Sequence, residues 1–284
     1  MEIAVYFAIV MASVTQSAST KAFNKTGGPS ALFNAIKTLS AFVLFLIISL
    51  PAFTFHLPTL LYGAAHGVLL AIANQAGYKA LHSGPMALTS MVANFSLIIP
   101  FAYGVVFLRE KPTVFAYIGL ALLLTALVFL NLRRRGGEDK RPSLKWAIFT
   151  GITMLANGLC SVVTSAHQSV YPEQFEYGYT AWTTVMCLLI FSVLALAGGK
   201  LKKQYRTARG DLLASGAGIV NTLSSFFTVL LAAACSASVL YPMLAATTML
   251  AALIVGRFVF REKLTPFQLT GFALGVGSVV LFNI

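Results

Sequence analysis

Three ionisable side chains inside long apolar stretches are the first candidates for chemistry in this sequence: Lys37, His66 and His167. A charge at membrane depth is costly, so such residues usually face a cavity or an ion path. Lys37 could bind a carboxylate or phosphate, or it could extend to the nearby interface. His66 could relay a proton, or it could be a hydrogen-bonded packing residue. The sequence therefore offers groups for binding and for proton transfer, each with a structural alternative.

Neutral polar side chains recur in the same apolar stretches at helical spacing. Asn74 and Gln75 follow His66 by two turns, and Asn157 lies one turn before Ser161. A single residue of this kind often only joins helices. An unpaired amide in hydrocarbon costs a few kcal/mol, however, so a recurring set should face one another, water or a ligand. The predicted substrate-binding residues are Gln16, Lys37, His66, Asn74, Gln75, Asn94, Asn157, Asn221, Tyr179 and Trp182.

Tyr179 and Trp182 belong to an aromatic cluster over residues 177–182, which follows Glu173 and Glu176. Aromatic side chains collect at membrane–water interfaces, and that is one interpretation of the cluster. The other is an aromatic wall of a binding site, or a cage for a quaternary amine beside the acidic residues. Both interpretations place the cluster near the outer end of a membrane helix.

Several kinds of chemistry lack the residues that they need. All eight acidic residues lie in connectors or at the ends of apolar stretches, so the sequence places no carboxylate at membrane depth. Cys160, Cys187 and Cys235 stand singly, without a CxxC pair or a histidine at ligand spacing. The sequence contains no GxSxG, Walker or HExxH motif. We therefore expect no enzyme, no catalytic residue, no metal site and no cofactor.

The apolar stretches themselves dominate the chain. Of its 284 residues, 58% are hydrophobic and only 10% are charged, against about 25% charged in soluble domains. The net charge of +12 lies in the connectors rather than on one face, which argues against nucleic acid. The stretches approach the roughly 20 residues that a helix needs to cross a bilayer. They predict an all-α membrane protein with ten transmembrane helices at residues 3–23, 31–50, 57–81, 85–108, 113–132, 145–169, 176–198, 211–233, 236–260 and 265–284.

The two halves of the sequence are related to each other. A shift of 152 residues places residues 109–113 (REKPT) on residues 261–265 (REKLT), and Gly119 on Gly271, without a gap. A charged segment at the same place in each half is not what hydrophobic composition produces. The predicted organisation is a five-helix repeat over 1–132, a basic linker over 133–144 and a second repeat over 145–284. Because each repeat has an odd number of helices, the second enters the membrane inverted, as in many secondary transporters.

The REKxT segments are predicted to be structural, with Arg109 and Glu110, or Arg261 and Glu262, capping helix ends or pairing near the interface. Basic residues also indicate the orientation. Connectors after odd-numbered helices hold nearly all lysines and arginines, which keeps such loops in the cytoplasm. We predict a multi-pass plasma (inner) membrane protein with residues 133–145 in the cytoplasm and both termini outside.

At residues 108–113 (LREKPT) and 260–265 (FREKLT) the sequence resembles the EamA family of the drug/metabolite transporter (DMT) superfamily. In that family the junction between helices four and five commonly has GE.LT and a glycine-punctuated helix follows, as Gly119 and Gly271 follow here. The resemblance spans the five-plus-five plan of the whole chain. Small multidrug exporters of the same superfamily depend on a glutamate in the first helix, where this chain has Thr15 and Gln16. The comparison disfavours a carboxylate-driven cation antiporter.

Together these features predict a secondary transporter that moves a small polar metabolite, such as an amino acid or a similar zwitterion, by alternating access. Its binding cavity is expected between the two repeats. The alternatives are an organic-cation, choline-type or multidrug carrier, and a membrane-integral enzyme or lipid-handling protein. The expected partners are a small-molecule substrate and the lipid bilayer, without nucleic acid. Proton coupling through His66 and a facilitator without coupling both stay open, as do a monomer and a homodimer.

Overall fold

A computed structural model of the chain describes residues 2–24, 30–49, 54–83, 89, 92–131, 143–172, 174–197, 207–258 and 265–284. These residues form α-helices and no β-strand, so the all-α prediction is confirmed for them. Each predicted apolar window overlaps one helix. The helices are α1 (Glu2–Asn24), α2 (Ser30–Ser49), α3 (Leu57–Ser83), α4 (Ile98–Val106), α5 (Val114–Asn131), α6 (Leu144–Val170), α7 (Glu176–Ala197), α8 (Ala208–Ala234), α9 (Ala237–Phe258) and α10 (Pro266–Phe282).

Five of these helices contain segments that are long and apolar enough to cross a membrane. The segments are Leu57–Ala80, Leu144–Val170, Glu176–Ala197, Ala208–Ala234 and Ala237–Val255. Shorter apolar helical segments lie in the remaining five helices. By length and composition, five helices of the described residues are of membrane-spanning type, which is consistent with an all-α membrane protein.

Local sequence explains where some helices begin and bend. At the start of α10, Thr265 and Gln268 form a capping box, and Pro266 occupies the first turn, where its missing N–H costs no hydrogen bond. The helix that leads into α4 tightens to a 3-10 turn at Phe95–Leu97, shortly before Pro100. Since proline removes one backbone donor, a change of helical winding next to it is expected.

The chain divides into two compact units. The first unit comprises residues 1–71 and 166–234, and the second comprises residues 72–165 and 235–284. Their boundaries fall within α3 and α6, so each unit takes helices from both halves of the sequence. The predicted repeats at 1–132 and 145–284 follow the chain instead and stay a prediction. Most of the predicted linker at 133–144, namely residues 133–142, lies outside the described residues.

In the first unit, small residues allow α3 and α7 to lie against each other. A Cβ atom at Gly63 would be 2.8 Å from both the Tyr179 carbonyl oxygen and the Trp182 Cβ, so only glycine fits this contact. The Thr183 hydroxyl, one turn after Tyr179, donates to the Gly63 carbonyl oxygen at 3.2 Å. This close approach brings the facing side chains of the two helices within hydrogen-bonding reach.

In the second unit, α5 and α10 are joined by two equivalent glycine contacts. A Cβ at Gly119 would lie 3.3 Å from the Ser278 carbonyl oxygen, and a Cβ at Gly271 would lie 3.0 Å from the Ala126 carbonyl oxygen. The early part of each helix thus meets the late part of the other, so the pair is antiparallel. Gly119 and Gly271, like Ala126 and Ser278, are related by the shift of 152 residues found in the sequence.

Connectors meet one another at the helix ends. In the first unit, the segment before α3 contacts the one between α6 and α7, where the ring of His56 stacks on that of Phe175 at 4.2 Å. In the second unit, Glu110 before α5 bonds to the start of α9. There too, the Trp146 indole N–H at the start of α6 donates to Thr89, which precedes α4, at 2.8 Å. If each connector is numbered by the helix that it follows, connector 2 contacts connector 6, connector 4 contacts the helix start next to connector 8, and the helical residues Thr89 and Trp146 join the ends next to connectors 3 and 5. Even-numbered positions thus meet even-numbered ones, and odd-numbered meet odd-numbered.

Candidate functional site

A cluster of histidine, tyrosine and hydroxyl side chains lies in the first unit, where the start of α3, the end of α6 and the start of α7 come together. It holds three of the chain's four histidines. His167 lies on the last turn of α6 and is fully buried, and Thr59 on the first turn of α3 is 1% exposed. Buried polar groups in an apolar helical protein are costly unless they are paired. Their partners therefore define the site.

Four side chains form a continuous hydrogen-bonded chain, which we call the His167 chain: His56, Thr59, His167 and Gln168. The Thr59 hydroxyl lies 2.9 Å from Nδ1 of His56 and 3.0 Å from Nε2 of His167. On the other side of the ring, Nε2 of Gln168 lies 3.2 Å from Nδ1 of His167. The chain runs from the segment before α3 to a buried amide at the end of α6.

The amide of Gln168 fixes the direction of this chain as the structure has it. An amide nitrogen can only donate, so Nδ1 of His167 accepts. Neutral His167 then carries its proton on Nε2 and donates to the Thr59 hydroxyl. Thr59 in turn donates to Nδ1 of His56, which leaves the His56 proton on Nε2. Each of the three hydrogen bonds in the His167 chain then has one donor and one acceptor.

A second polar pair lies beside the His167 chain. The hydroxyl of Tyr179, on the first turn of α7, is 2.5 Å from Nδ1 of His66 on α3. The Tyr179 ring also lies against the His167 ring, with centroids 4.7 Å apart, and is only 1% exposed. Thr59, Tyr62 and His66 are spaced three and four residues apart, which places them on one face of α3. That face supplies the hydroxyl, a ring that packs edge-on against His167, and the imidazole.

Aromatic rings enclose the outer end of the His167 chain. His56 stacks face to face on Phe175, and Tyr171 packs edge-on against His56 at 4.8 Å. Phe175 has a φ of 58°, which is a strained conformation for an aromatic residue. Strained residues persist where the surroundings hold them, often at functional sites. Here the strain presents the Phe175 ring to the imidazole of His56, which is itself only half-buried.

The structure brings together two of the predicted substrate-binding residues, His66 and Tyr179, as a hydrogen-bonded pair. Trp182 lies one turn further along α7, with its Cβ beside Gly63. Gln16, Lys37 and Asn221 lie in the same unit on α1, α2 and α8. The other four predicted residues belong to the second unit: Asn74, Gln75, Asn94 and Asn157.

Sequence reasoning missed three members of the His167 chain: His56, Thr59 and Gln168. His56 and Thr59 lie at a helix start, where polar residues are commonplace, and Gln168 stood next to a histidine that had no assigned partner. The available signal was the concentration of histidine, tyrosine and threonine at three helix ends. As for metal binding, no group of three or more His, Cys, Asp or Glu side chains comes together among the described residues.

The second unit contains a different polar feature, a carboxylate that caps a helix. Glu110 accepts hydrogen bonds from the backbone N–H groups of Ala237 and Ser238, at 2.7 and 2.8 Å, at the start of α9. A Cβ at Gly104 would overlap this carboxyl group, so glycine is needed there. The predicted capping role is confirmed for Glu110, while its counterparts Arg261 and Glu262 lie outside the described residues. An open cavity of about 470 Å³ adjoins the cap.

Comparison with known proteins establishes the fold and no more. No family model and no curated protein matches the chain. A solved crystal structure of a protein is similar, with a TM-score of 0.80 and 14% sequence identity over 99% of this chain and 95% of that chain. At 14% identity, this similarity indicates a shared fold and does not extend to function. The helical architecture of this chain is therefore one that also occurs in a crystal structure.

Proposed function

We propose that this protein is a secondary transporter, which moves a small polar metabolite such as an amino acid across the plasma (inner) membrane by alternating access. The observation that carries the proposal is the set of buried imidazole, hydroxyl and amide groups between α3, α6 and α7. Ionisable and polar groups buried in membrane helices usually mark substrate or ion paths, because their burial is costly, and His66 lies more than two turns into α3. A transporter needs such groups, whereas a purely structural bundle does not.

The paired contacts of α5 and α10 support an inverted repeat within this proposal. Residues related by a shift of 152 make the same contact from opposite helices, which is how two copies of one unit meet across a two-fold axis. Because the two helices are antiparallel, that axis lies across them rather than along them. An axis in the membrane plane is the arrangement of inverted-repeat transporters.

The contacts between connectors support ten membrane crossings. If every helix crosses the bilayer, connectors of one parity lie on one side and those of the other parity lie on the opposite side. The contacts of His56, of Glu110 and of Trp146 all respect that rule. The basic residues of the odd-numbered connectors favour the cytoplasm for that side, with both termini outside. The resulting plan resembles that of the EamA family.

The substrate class follows from the kind of polar groups present. In the first unit, Gln16 and Asn221 are neutral and partly buried, and Lys37 is the cation among the predicted residues. A small zwitterion suits this mixture, with its carboxylate drawn to Lys37. A cage for a quaternary amine is less well supported, because Tyr179 is 1% exposed and its hydroxyl is already bonded to His66.

The test is counterflow exchange in proteoliposomes that are loaded with a panel of amino acids, choline and an organic cation. We expect exchange of at least one amino acid, well above protein-free liposomes. Tyr179→Phe, which removes only the hydroxyl bonded to His66, should reduce that exchange. The matched control is Tyr117→Phe on α5, whose side chain is 45% exposed. If no panel member exchanges, or if the two variants behave alike, the proposed function or its site is wrong.

A further inference from the structure

The His167 chain has a property that substrate binding alone does not require. Its inner end is an amide that can bond to the ring in two ways. Gln168 is 2% exposed, and its Oε1 is buried without a hydrogen-bond partner among the described residues. Apart from the bond of Nε2 to His167, no hydrogen bond of the described residues fixes the orientation of this amide. Turning it by half a rotation would present Oε1 to Nδ1 of His167 instead.

The two amide orientations select different protonation states of the ring. With Nε2 of Gln168 facing Nδ1, that ring nitrogen must accept, so His167 is neutral and carries its one proton on Nε2. With Oε1 facing Nδ1, the ring can donate from Nδ1, and a charged His167 donates from both nitrogens. Thr59 accepts the second of these bonds, since a hydroxyl both donates and accepts. Every site on a charged His167 would then be paired.

We propose that His167 is a proton-binding site of this transporter, loaded through His56 and Thr59 and stabilised when Gln168 turns its Oε1 to the ring. This inference rests on the proposed function and names a coupling ion for it, the proton. It differs from coupling through His66, because His66 bonds to Tyr179 and is not a member of the chain. The proton enters from the connector end, where His56 is half-buried between Tyr171 and Phe175.

Loading moves one proton inward along the chain. Turning Oε1 of Gln168 to Nδ1 reverses the three bonds, and each ring then carries its one proton on the other nitrogen. Neutral His167 donates from Nδ1 to Gln168, Thr59 donates to Nε2 of His167, and His56 donates from Nδ1 to the Thr59 oxygen. A hydronium ion gives its proton to Nε2 of His56 and becomes water. The Nδ1 proton of His56 passes to the Thr59 oxygen, as the Thr59 hydroxyl proton passes to Nε2 of His167. His56 and Thr59 end neutral, His167 gains one positive charge, and release is the reverse.

Besides His167, the described residues of α6 and α7 contain one basic side chain, Lys145, which lies at the opposite end of α6. His56 faces His167 through Thr59, and Tyr62 of α3 packs edge-on at 5.5 Å. Tyr171, one turn after His167, and Tyr179 of α7 complete the ring contacts. Glu176 is buried on α7, one turn before Tyr179. The protonated ring thus faces hydroxyl and amide oxygens together with aromatic rings.

The test is a nitrogen-15 histidine NMR titration of the full chain in nanodiscs, with His167 assigned by a His167→Gln variant. Above its titration, His167 should show Nε2 protonated and Nδ1 free; below it, both nitrogens should be protonated. Gln168→Leu removes the acceptor and should lower the titration midpoint by about one pH unit. Gln168→Glu supplies a carboxylate at the same place and should raise it by about one unit or more.

Opposite shifts in these two variants are the outcome that a merely structural glutamine would not produce. A His167 that never gains a second proton between pH 4 and 9, or a midpoint that both variants move in the same direction, would overturn the inference. Should His167→Gln fail to fold, assignment can come from the two Gln168 variants, because their shifts concern one histidine of four. Counterflow exchange in the wild type tests the proposed function separately, since exchange without proton binding would remove only this inference.

Discussion

The His167 chain of the first unit and the α5–α10 contact of the second unit join helices with opposite kinds of residue. The first uses imidazole, hydroxyl and amide groups at 2.9 to 3.2 Å. The second uses Gly119 and Gly271, and its buried hydroxyl, Ser278, has no partner among the described residues. Helix association in a membrane can rest on small-residue packing alone.

This difference is a physical reason for the proposal that the transport site involves the His167 chain. Since α5 and α10 hold together without a polar network, the polar network between α3, α6 and α7 is more than these helices need for packing. Buried hydrogen-bonded groups contribute little net stability when they are paired and cost much when they are not. If the α5–α10 contact depends on shape and the His167 chain on hydrogen bonds, a substitution that changes only one of these properties should affect only one of the two contacts.

The largest effect is expected from Gly271→Ala in the α5–α10 contact. The added methyl group would lie 2.7 Å from the Leu130 Cγ and 3.0 Å from the Ala126 carbonyl oxygen, so the helices must separate. We expect a loss of about 3 kcal/mol in the free energy of unfolding, the upper end for an overpacked contact. Denaturation in mixed detergent micelles measures this loss.

Gly277→Ala is the matched control for that variant, because it lies two turns away on α10 with its nearest neighbour, the Leu122 Cδ1, at 3.7 Å. It should raise stability by up to about 1 kcal/mol, because alanine favours a helix over glycine and meets no clash there. Equal stability of the two variants would mean that α5 and α10 do not pack through Gly271. The close glycine contact would then not be what holds these two helices together.

The next effect is expected from Thr59→Val in the His167 chain, which keeps the shape of the side chain and removes its hydroxyl. The substitution leaves Nε2 of His167 and Nδ1 of His56 without their partner. We expect a loss of about 2 kcal/mol in stability, together with reduced counterflow exchange. Thr59→Ser keeps the hydroxyl and should retain most of both. A valine variant that is as stable and as active as the serine variant would show that these hydrogen bonds are dispensable.

The helices could be predicted from the sequence because the bilayer fixes their length and composition. Each of the ten apolar windows overlaps one helix, from α1 to α10, with small differences at the ends except at α4, where Ile98–Val106 is much shorter than the window of residues 85–108 and part of that window lies outside the described residues. What sequence could not supply is the grouping of these helices into two units, because the unit boundaries fall inside α3 and α6. A repeat is visible along the chain, whereas packing depends on which helix faces meet.

The candidate site was predicted in parts. His66 and Tyr179 stand out by type, because polar and aromatic residues in apolar stretches are few, but 113 positions separate them in the sequence. Their contact depends on the close approach of α3 and α7 at Gly63, which is a property of two helix surfaces together. Thr59 and Gln168 have no unusual local signal, and only their distances to His167 reveal their role.

A smaller effect is expected from Glu110→Gln, which tests whether the charged group of the second unit acts on structure alone. The amide keeps one acceptor oxygen but places an N–H₂ group where a carboxylate oxygen accepts from α9. A lost helix cap costs about 1 kcal/mol, and we expect that loss with unchanged substrate preference. Lys111→Gln in the same connector is the control, since its side chain is exposed. A change of substrate preference in a stable Glu110→Gln protein would instead place this carboxylate in the transport path.

The smallest effect is expected at Arg109, which precedes the capping carboxylate and has a φ of 54°. A left-handed backbone costs a non-glycine residue about 1–2 kcal/mol, and glycine adopts it freely. Against this gain, glycine enlarges the entropy of the unfolded chain by about 0.4–1 kcal/mol. Arg109→Gly should therefore raise stability slightly, by less than about 1 kcal/mol.

Lys111→Gly, two residues later and without a positive φ, should lower stability by about the entropic amount, because it has no backbone strain to relieve. Thermal unfolding of both variants in one detergent decides the matter. If Arg109→Gly is destabilised as much as Lys111→Gly, then the Arg109 side chain contributes a contact that outweighs its backbone strain, and the connector that holds Glu110 is stabilised by charge as well as by shape.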